Sequence, residues 1–211
     1  MSLPYSKKVI DLFLNPKNVG EIPDPDALAT EGSPACGDMV TVYLKVDKKT
    51  SRIKDIKFKS FGCASNIATA SIVTEMAKGK TLEEAKRITW KEIVEELGGL
   101  PPVKIHCSIL AVDALHAAII NYEEKHGLVK EKIPTDENLI KKRLRHVIDP
   151  NTGKDIVGSR LIESIRIKEG KITIVLNIDV DNQFANAIKE EILEKLKYRW
   201  DVKEIEILFH H

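Results

Sequence analysis

Three cysteines and two neighbouring side chains are the residues of this chain best suited to metal chemistry. Cys36, Cys63 and Cys107 are the only cysteines among its 211 residues, and Asp38 and His106 lie close to two of them in sequence. Thiolates are soft ligands that suit zinc and iron–sulfur clusters, and a carboxylate or an imidazole can complete such a site. One interpretation is therefore a shared metal site with three thiolates and with Asp38 or His106 as the fourth ligand.

The same three cysteines permit a second interpretation. Free cysteine is often a small buried apolar residue, and a zinc ribbon would need the paired spacing CxxC, which this sequence lacks. Spacing alone therefore leaves a metal site and three separate buried thiols equally open.

A proline-containing segment before the third cysteine, residues 100–104, is predicted to be exposed and extended, because proline fixes the backbone and disfavours a helix before it. Its residues are Leu100, Pro101, Pro102, Val103 and Lys104. A helix is predicted to begin at Ser108 and to continue to residue 126. Cys107 would then lie at a helix N-terminus, where free N–H groups and the nearby Lys104 favour a thiolate.

Composition limits the classes of function. The net charge is +1, with 43% hydrophobic and 31% charged residues, which is typical of a soluble globular protein without affinity for nucleic acid. We expect no contact with a membrane, because no apolar run approaches about 20 residues and the first residues lack a secretory signal. An odd, small number of cysteines indicates a reducing compartment, so we expect the protein to be cytoplasmic.

Hydrophobic periodicity predicts an α+β fold for the first domain, residues 1–129, with a small antiparallel sheet and helices packed on one side of it. Alternating residues predict a hairpin of strands 39–46 and 53–61, preceded by a long loop at 18–34. The predicted helices are 5–14, 64–78, 82–88, 90–96 and 108–126. Two of them follow capping boxes, Thr81 with Glu84 and Thr89 with Glu92.

A second small α/β domain is predicted at residues 137–211, after a polar linker at 130–136. Its predicted elements are a helix at 138–147, a hairpin of strands 161–168 and 171–178, a helix at 181–198 and a strand at 202–208. The basic residues at 141–145 are interpreted as a solvated helix surface.

Several motifs of the first domain closely resemble the iron–sulfur cluster assembly scaffold family of the IscU/NifU N-terminal type. They are Ala35-Cys36-Gly37-Asp38, Phe61-Gly62-Cys63 and the segment from Leu100 to Ser108, and the resemblance covers about residues 4–126. It implies a non-enzymatic scaffold that assembles a [2Fe–2S] cluster on the three cysteines with Asp38 and His106. Zinc could occupy the same site in the isolated protein.

The resemblance also implies partners. Sulfur would arrive as persulfide from a cysteine desulfurase, with Cys107 as the predicted acceptor, and the cluster would pass to apo iron–sulfur acceptor proteins. Residues 100–104 would be the docking peptide for an Hsp70-type chaperone and its co-chaperone. A weak fourth ligand, Asp38 or His106, would leave one corner of the site exchangeable.

Residues 149–157 resemble the start of a small domain found in Mrp-, SufT- and PaaD-like proteins that is associated with iron–sulfur assembly. Such domains often carry a cysteine where this chain has Val180-Asp181-Asn182, so a role in protein interaction is expected here rather than metal binding.

A zinc-dependent sulfurtransferase like SufU is the alternative function. SufU-type proteins carry an insertion between the second and third cysteines and lack the proline segment. This chain has no such insertion and keeps the segment, so the scaffold is favoured. A purely structural zinc fold is the weakest interpretation, because Asp38 and His106 compete for one position.

Overall fold

The computed structural model describes residues 5–33, 37–129, 133–149, 151–152 and 154–210. Its contacts divide the chain into two compact units, Met1–Tyr122 and Glu123–His211, which are described separately below. The domain limits 1–129 and 137–211 stay a prediction from the sequence.

The first unit contains an antiparallel sheet with the strand order β1-β2-β3. The strands are β1 (Ala27–Ser33), β2 (Asp38–Asp47) and β3 (Arg52–Phe61). The alternation that predicted β2 is a burial pattern, since Val40, Val42, Leu44 and Val46 are all buried. The predicted α+β class with a small antiparallel sheet is confirmed.

The prediction of a loop at 18–34 is wrong for its second half, because Ala27–Ser33 forms strand β1. Residues 27–33 pair with β2 along their whole length, from Ala27 opposite Leu44 to Ser33 opposite Asp38. The segment Ala-Leu-Ala-Thr-Glu-Gly-Ser has few of the β-branched and aromatic residues that favour strands. Its conformation is therefore set by pairing with the strong neighbour β2, which a local sequence pattern does not reveal.

Helices of the first unit occupy the predicted regions. They are α1 (Lys7–Leu14), α2 (Ala64–Ala77), α3 (Leu82–Ala85), α4 (Trp90–Glu96) and α5 (Ile105–Lys125), whose last residues, from Glu123, belong to the second unit. Both predicted capping boxes are present: Thr81 and Glu84 start α3, and Thr89 and Glu92 start α4. Helix α2 packs against α1 and β3, and most of its residues are buried around its whole circumference.

The proline segment is not fully extended, which corrects the prediction. Pro102–Lys104 forms a 3₁₀ turn that leads directly into α5, so this helix begins at Ile105 rather than Ser108. Pro101 keeps an extended conformation (φ −54°, ψ 141°) because it precedes a proline, and Pro102 suits a first helical position because no N–H is needed there. Pro102 and Val103 are exposed as predicted.

Pro102–Lys125, the 3₁₀ turn together with α5, is long and apolar enough to cross a membrane by length and composition alone. A core helix of a soluble protein meets the same criterion. Here Ala111, Leu115, Ala118 and Ile119 are fully buried in the core of the first unit. The apolar character of α5 is therefore explained by its packing.

The second unit has the predicted hairpin, helix and strand. Its elements are α6 (Glu137–Leu144), β4 (Ile162–Lys168), β5 (Lys171–Asp179), α7 (Ala185–Leu196) and β6 (Glu204–His210). Strands β4 and β5 pair antiparallel, β5 and β6 pair parallel, and α7 makes the crossover between the parallel strands. The predicted small α/β fold is confirmed.

A buried ion-pair network lies within the second unit. Glu124, whose side chain is 2% exposed, accepts hydrogen bonds from Arg143 at 2.6 Å and from Arg199 at 3.0 Å. The Arg199 Nε also donates to the Thr135 hydroxyl at 3.0 Å, and that hydroxyl donates to Asp201 at 2.6 Å. Arg143 is therefore not part of a solvated surface, and the prediction for residues 141–145 is wrong at this position.

Candidate metal centre

Four elements of the first unit end or begin at the candidate centre. Asp38 is the first residue of β2, and Cys63 is the N-cap of α2, directly after β3. His106 and Cys107 are the second and third residues of α5. The start of one strand, the end of another and the starts of two helices therefore present these four side chains from rigid elements.

The ligand atoms are close to one another. Those of Asp38, His106 and Cys107 all lie within 4.8 Å of each other. The Cys107 Sγ lies 3.5 Å from His106 Nε2 and 3.8 Å from Asp38 Oδ2. It also lies 3.8 Å from the Cys63 Sγ, too far for a disulfide. The structure thus brings together four of the five predicted site residues.

Two of these spacings match the separations between ligands of a tetrahedral ion. With bonds of about 2.3 Å to sulfur and about 2.0 Å to nitrogen, two sulfurs on such an ion lie about 3.8 Å apart and a sulfur and a nitrogen about 3.5 Å apart. The observed distances from the Cys107 Sγ to Cys63 and to His106 agree with both values. The donor set of two thiols and an imidazole therefore suits zinc or the iron of a cluster.

Asp38 and His106 contact each other as well. The His106 Nε2 lies 2.9 Å from Asp38 Oδ2, which is a hydrogen-bond distance. Two such ligands of one tetrahedral ion would be about 3.3 Å apart. In this arrangement either residue could bind the ion while the other lies beside it, so both remain candidates for the fourth ligand.

The other carboxylate oxygen of Asp38 holds the turn that carries Cys63, because Oδ1 accepts a hydrogen bond of 3.2 Å from the Cys63 N–H.

Cys36 lies outside the described residues. The predicted set of three thiolates therefore stays a prediction.

The two described thiols differ in their acidity. Burial raises the pKa of the Cys63 thiol, but the N–H of Asn66 and the neighbouring Cys107 outweigh it, so its pKa lies below the usual value. Burial, followed by the negative charges of Cys63 and Asp38, raises the pKa of Cys107. Lys104 lowers the pKa of Cys107 as expected, but burial outweighs this effect, so the predicted thiolate at Cys107 is not favoured in the metal-free protein. Lys104 interacts chiefly with Cys63, whose charge raises the pKa of the lysine.

Metal-free protein should consequently be alkylated at Cys63 before Cys107. Near neutral pH the lowered pKa leaves more of Cys63 as thiolate, whereas Cys107 is a protonated thiol with no exposed surface. Brief treatment with iodoacetamide, followed by mass spectrometry of the peptides, would measure the order. Faster labelling of Cys107 would contradict the assignment, and protein denatured before labelling gives the reference rates.

Two residues beside the site, Gly62 and Asn66, were not predicted to belong to it, although the sequence contains a weak indication of each. Gly62 has φ +151°, a conformation that glycine adopts readily, and it comes directly before Cys63. Asn66 is fully buried one turn into α2. A polar residue among the apolar residues that follow Cys63 is the signal that could have identified it.

Comparison with known proteins agrees with this geometry. Residues 4–129 match the model of the NifU-like N terminal domain, and residues 137–207 match a model described as an iron-sulfur cluster assembly protein.

Curated relatives share about half of their residues with this chain. Iron-sulfur cluster assembly scaffold protein IscU 1 of Archaeoglobus fulgidus is 58% identical over 125 residues, covering 59% of this chain and 80% of the relative. The IscU scaffold protein of Aquifex aeolicus is 50% identical over 136 residues, covering 64% and 87%. That of Azotobacter vinelandii is 52% identical over 130 residues, covering 60% and 100%.

The matched residues include every described ligand of the candidate centre, and the match extends over more than half of the chain. This protein belongs to the NifU-like N-terminal domain family.

Proposed function

We propose that this protein is a scaffold on which iron–sulfur clusters are assembled and from which they pass to acceptor proteins. The observation that carries the proposal is the grouping of Asp38, His106 and Cys107, whose ligand atoms lie within 4.8 Å of one another, with the Cys63 Sγ 3.8 Å from the Cys107 Sγ. The relatives named as IscU scaffold proteins support it. The cluster is cargo in this function, not a permanent cofactor.

A scaffold must bind its cargo and then release it. We propose that Cys36, Cys63 and Cys107 supply thiolates to a [2Fe–2S] cluster, and that Asp38 or His106 completes the set. Iron of a sulfide cluster prefers soft ligands, so a carboxylate or imidazole is the position that exchanges most readily. The hydrogen bond between Asp38 and His106 supports this view, since each can occupy the place that the other leaves.

Anaerobic reconstitution with iron and sulfide tests the scaffold function. We expect a visible spectrum of a [2Fe–2S] cluster, two iron and two sulfide per cluster, and transfer to an apo-ferredoxin followed by circular dichroism. Stable zinc binding without cluster formation, together with sulfur relay, would contradict the scaffold and support the SufU-like sulfurtransferase.

Sulfur delivery is the step in which a cysteine acts as nucleophile. We propose that a thiolate of this chain attacks the outer sulfur of a desulfurase persulfide, so that the desulfurase cysteine leaves as a thiolate. Cys107 is the proposed acceptor, and Cys107→Ser should prevent loading. Because Cys107 is buried, the proposal requires that docking of the desulfurase expose it.

Replacing Asp38 by alanine should lengthen the lifetime of the cluster. The exchangeable hard ligand would be lost, and release to apo-ferredoxin, timed by circular dichroism, should slow. Asp38→Asn is the matched control, because an amide oxygen can still accept from the Cys63 N–H. Faster release from the alanine variant, with normal release from the asparagine variant, would show that Asp38 only caps the turn.

We propose that residues 100–104 dock an Hsp70-type chaperone assisted by its co-chaperone. Exposed Pro102 and Val103 support this, since a rigid segment loses little conformational entropy when a groove binds it. Changing both Pro101 and Pro102 to alanine should weaken chaperone binding, measured by fluorescence anisotropy, and leave cluster assembly intact. Loss of assembly in this variant would assign the prolines to the start of α5 instead.

For the remainder of the chain, we propose that residues 1–129 form the scaffold domain, 130–136 a linker and 137–211 a protein-interaction domain. The match of residues 137–207 to an iron–sulfur assembly family supports a role in the same process. We further propose a cytoplasmic location, in agreement with a site that needs reduced thiols.

A further inference from the structure

Helix α2 carries buried polar side chains that its packing does not require. Asn66 and Thr69 have no exposed surface. They are three positions apart, so both project from one face of the helix. Buried polar groups are costly unless they are hydrogen-bonded, and the partners of these two lie at the metal centre.

Asn66 binds the ends of the two strands that carry ligands. Its Nδ2 lies 3.0 Å from the carbonyl oxygen of Phe61 and 3.1 Å from the Ser60 hydroxyl. It also lies 3.4 Å from the carbonyl oxygen of Met39. Met39 follows Asp38, and Phe61, its partner in the sheet, is two residues before Cys63. One side-chain amide therefore contacts the backbone beside both ligands.

Thr69 makes the corresponding contact to the third ligand. Its Oγ1 lies 2.9 Å from the carbonyl oxygen of Asn66 and 3.2 Å from the carbonyl oxygen of Cys107. The hydroxyl proton is thus shared between α2 itself and the first turn of α5. Through this contact the position of Cys107 depends on the same helix that positions Cys63.

The space around Asn66 leaves little freedom for the turn. A Cβ at Gly62 would lie 2.6 Å from Asn66 Nδ2 and 2.2 Å from Asp38 Oδ1. The amide, the glycine backbone and the carboxylate are therefore in close contact. A shift of the Asn66 side chain would allow Asp38 and the Cys63 turn to move with it.

We infer that Asn66 and Thr69 are positioning residues of the metal centre, with Asn66 fixing Asp38 and Cys63 and Thr69 fixing Cys107. The inference rests on the proposed function, because it takes Asp38, Cys63 and Cys107 as ligands. Because both positioning residues belong to one buried helix, the ligands keep their separations before a metal arrives. Loss of a group that orients ligands typically lowers metal affinity 10- to 100-fold.

Anaerobic titration of the full-length protein with Co²⁺ tests the inference, because the visible bands of Co²⁺ report both affinity and ligand geometry. We expect the Co²⁺ dissociation constant to rise about tenfold in Asn66→Ala and a few-fold in Thr69→Val, with altered bands in both. Thr69→Ser, which keeps the hydroxyl, should restore the parent affinity and spectrum.

Thr74→Val is the matched control. Thr74 is another buried threonine of α2, but its hydroxyl donates to the carbonyl oxygens of Ala70 and Ser71 in its own helix and accepts from Asn18 Nδ2, none of which is a ligand or a neighbour of one. We expect it to lose some stability, measured by circular dichroism, and to bind Co²⁺ like the parent. Equal losses of affinity in Thr74→Val and Thr69→Val would overturn the inference, because stability of α2 would then explain both.

The remaining outcomes separate the inference from the proposed function. If the parent binds Co²⁺ and the Asn66 and Thr69 variants bind it equally well with unchanged bands, the inference fails and the metal site stands. If the parent itself does not bind Co²⁺ through thiolates, the proposed metal centre fails first. Should Asn66→Ala not fold, the valine and serine variants of Thr69 decide the question.

Discussion

Replacing Gly62 by alanine should nearly abolish metal binding at the candidate centre. The added Cβ would lie 2.2 Å from Asp38 Oδ1 and 2.6 Å from Asn66 Nδ2, so both side chains must move. The glycine conformation at φ +151° adds backbone strain of about 1–3 kcal/mol for any other residue. We expect Co²⁺ affinity to fall by about 100-fold or more, the upper end for groups that orient ligands.

Gly79→Ala provides the matched control for strain. Gly79 also has a positive φ, +79°, but a Cβ there would meet nothing within 4 Å. This variant should lose stability in circular dichroism melts and keep the parent affinity for Co²⁺. Unchanged metal binding in Gly62→Ala would mean that the turn can move without disturbing the ligands.

Replacing Arg199 by methionine should strongly destabilise the second unit. The Glu124 carboxylate would lose one of its two described arginine partners and remain in a site where its side chain is 2% exposed. Breaking a buried charge pair typically costs about 3–5 kcal/mol, and Arg143 still pairs with Glu124, so about 3 kcal/mol is expected. Hydrogen exchange of the β5 amides would report the free energy of unfolding of this unit.

An exposed ion pair of the same unit serves as the reference. Lys171 contacts Glu204 at 2.8 Å, but the two side chains are 42% and 60% exposed. Lys171→Met should change the free energy of unfolding by less than about 1 kcal/mol, because water screens the pair. Similar losses in the two variants would show that burial does not strengthen the Glu124 network.

Elements that depend on residues close together in the sequence can be predicted from it, whereas elements that depend on distant residues cannot. Strands β2 and β3 follow from alternation, and helices α3 and α4 follow from capping boxes, because both signals lie within a few residues. Strand β1 could not be predicted in the same way, since its conformation depends on pairing with residues 38–44. The predicted start of α5 at Ser108 is too late, because prolines usually disfavour a helix, whereas Pro102 suits a first helical position.

In the candidate site too, the residue types could be predicted from the sequence, whereas properties that depend on contacts between distant residues could not. Asp38, Cys63, His106 and Cys107 could be singled out because their side chains have intrinsic affinity for metals. The order of the thiol acidities could not, since the pKa of Cys107 depends on burial and on charges from Asp38 and Cys63, which are distant in sequence. Asn66 was missed for a related reason. Its importance lies in contacts to Met39 and Phe61 that only the folded sheet creates.

The burial of most of α2 has a consequence for how the cluster can leave. In native proteins, segments with few exposed groups open only with free energies close to that of global unfolding. Helix α2 is such a segment, so its first turn, which begins at Cys63, should not melt locally to release a metal. The exposed side of the site is different, because His106 is exposed and follows the surface turn Pro102–Lys104. Exit of the cluster should therefore proceed through a low-energy opening of the first turn of α5, while α2 stays closed.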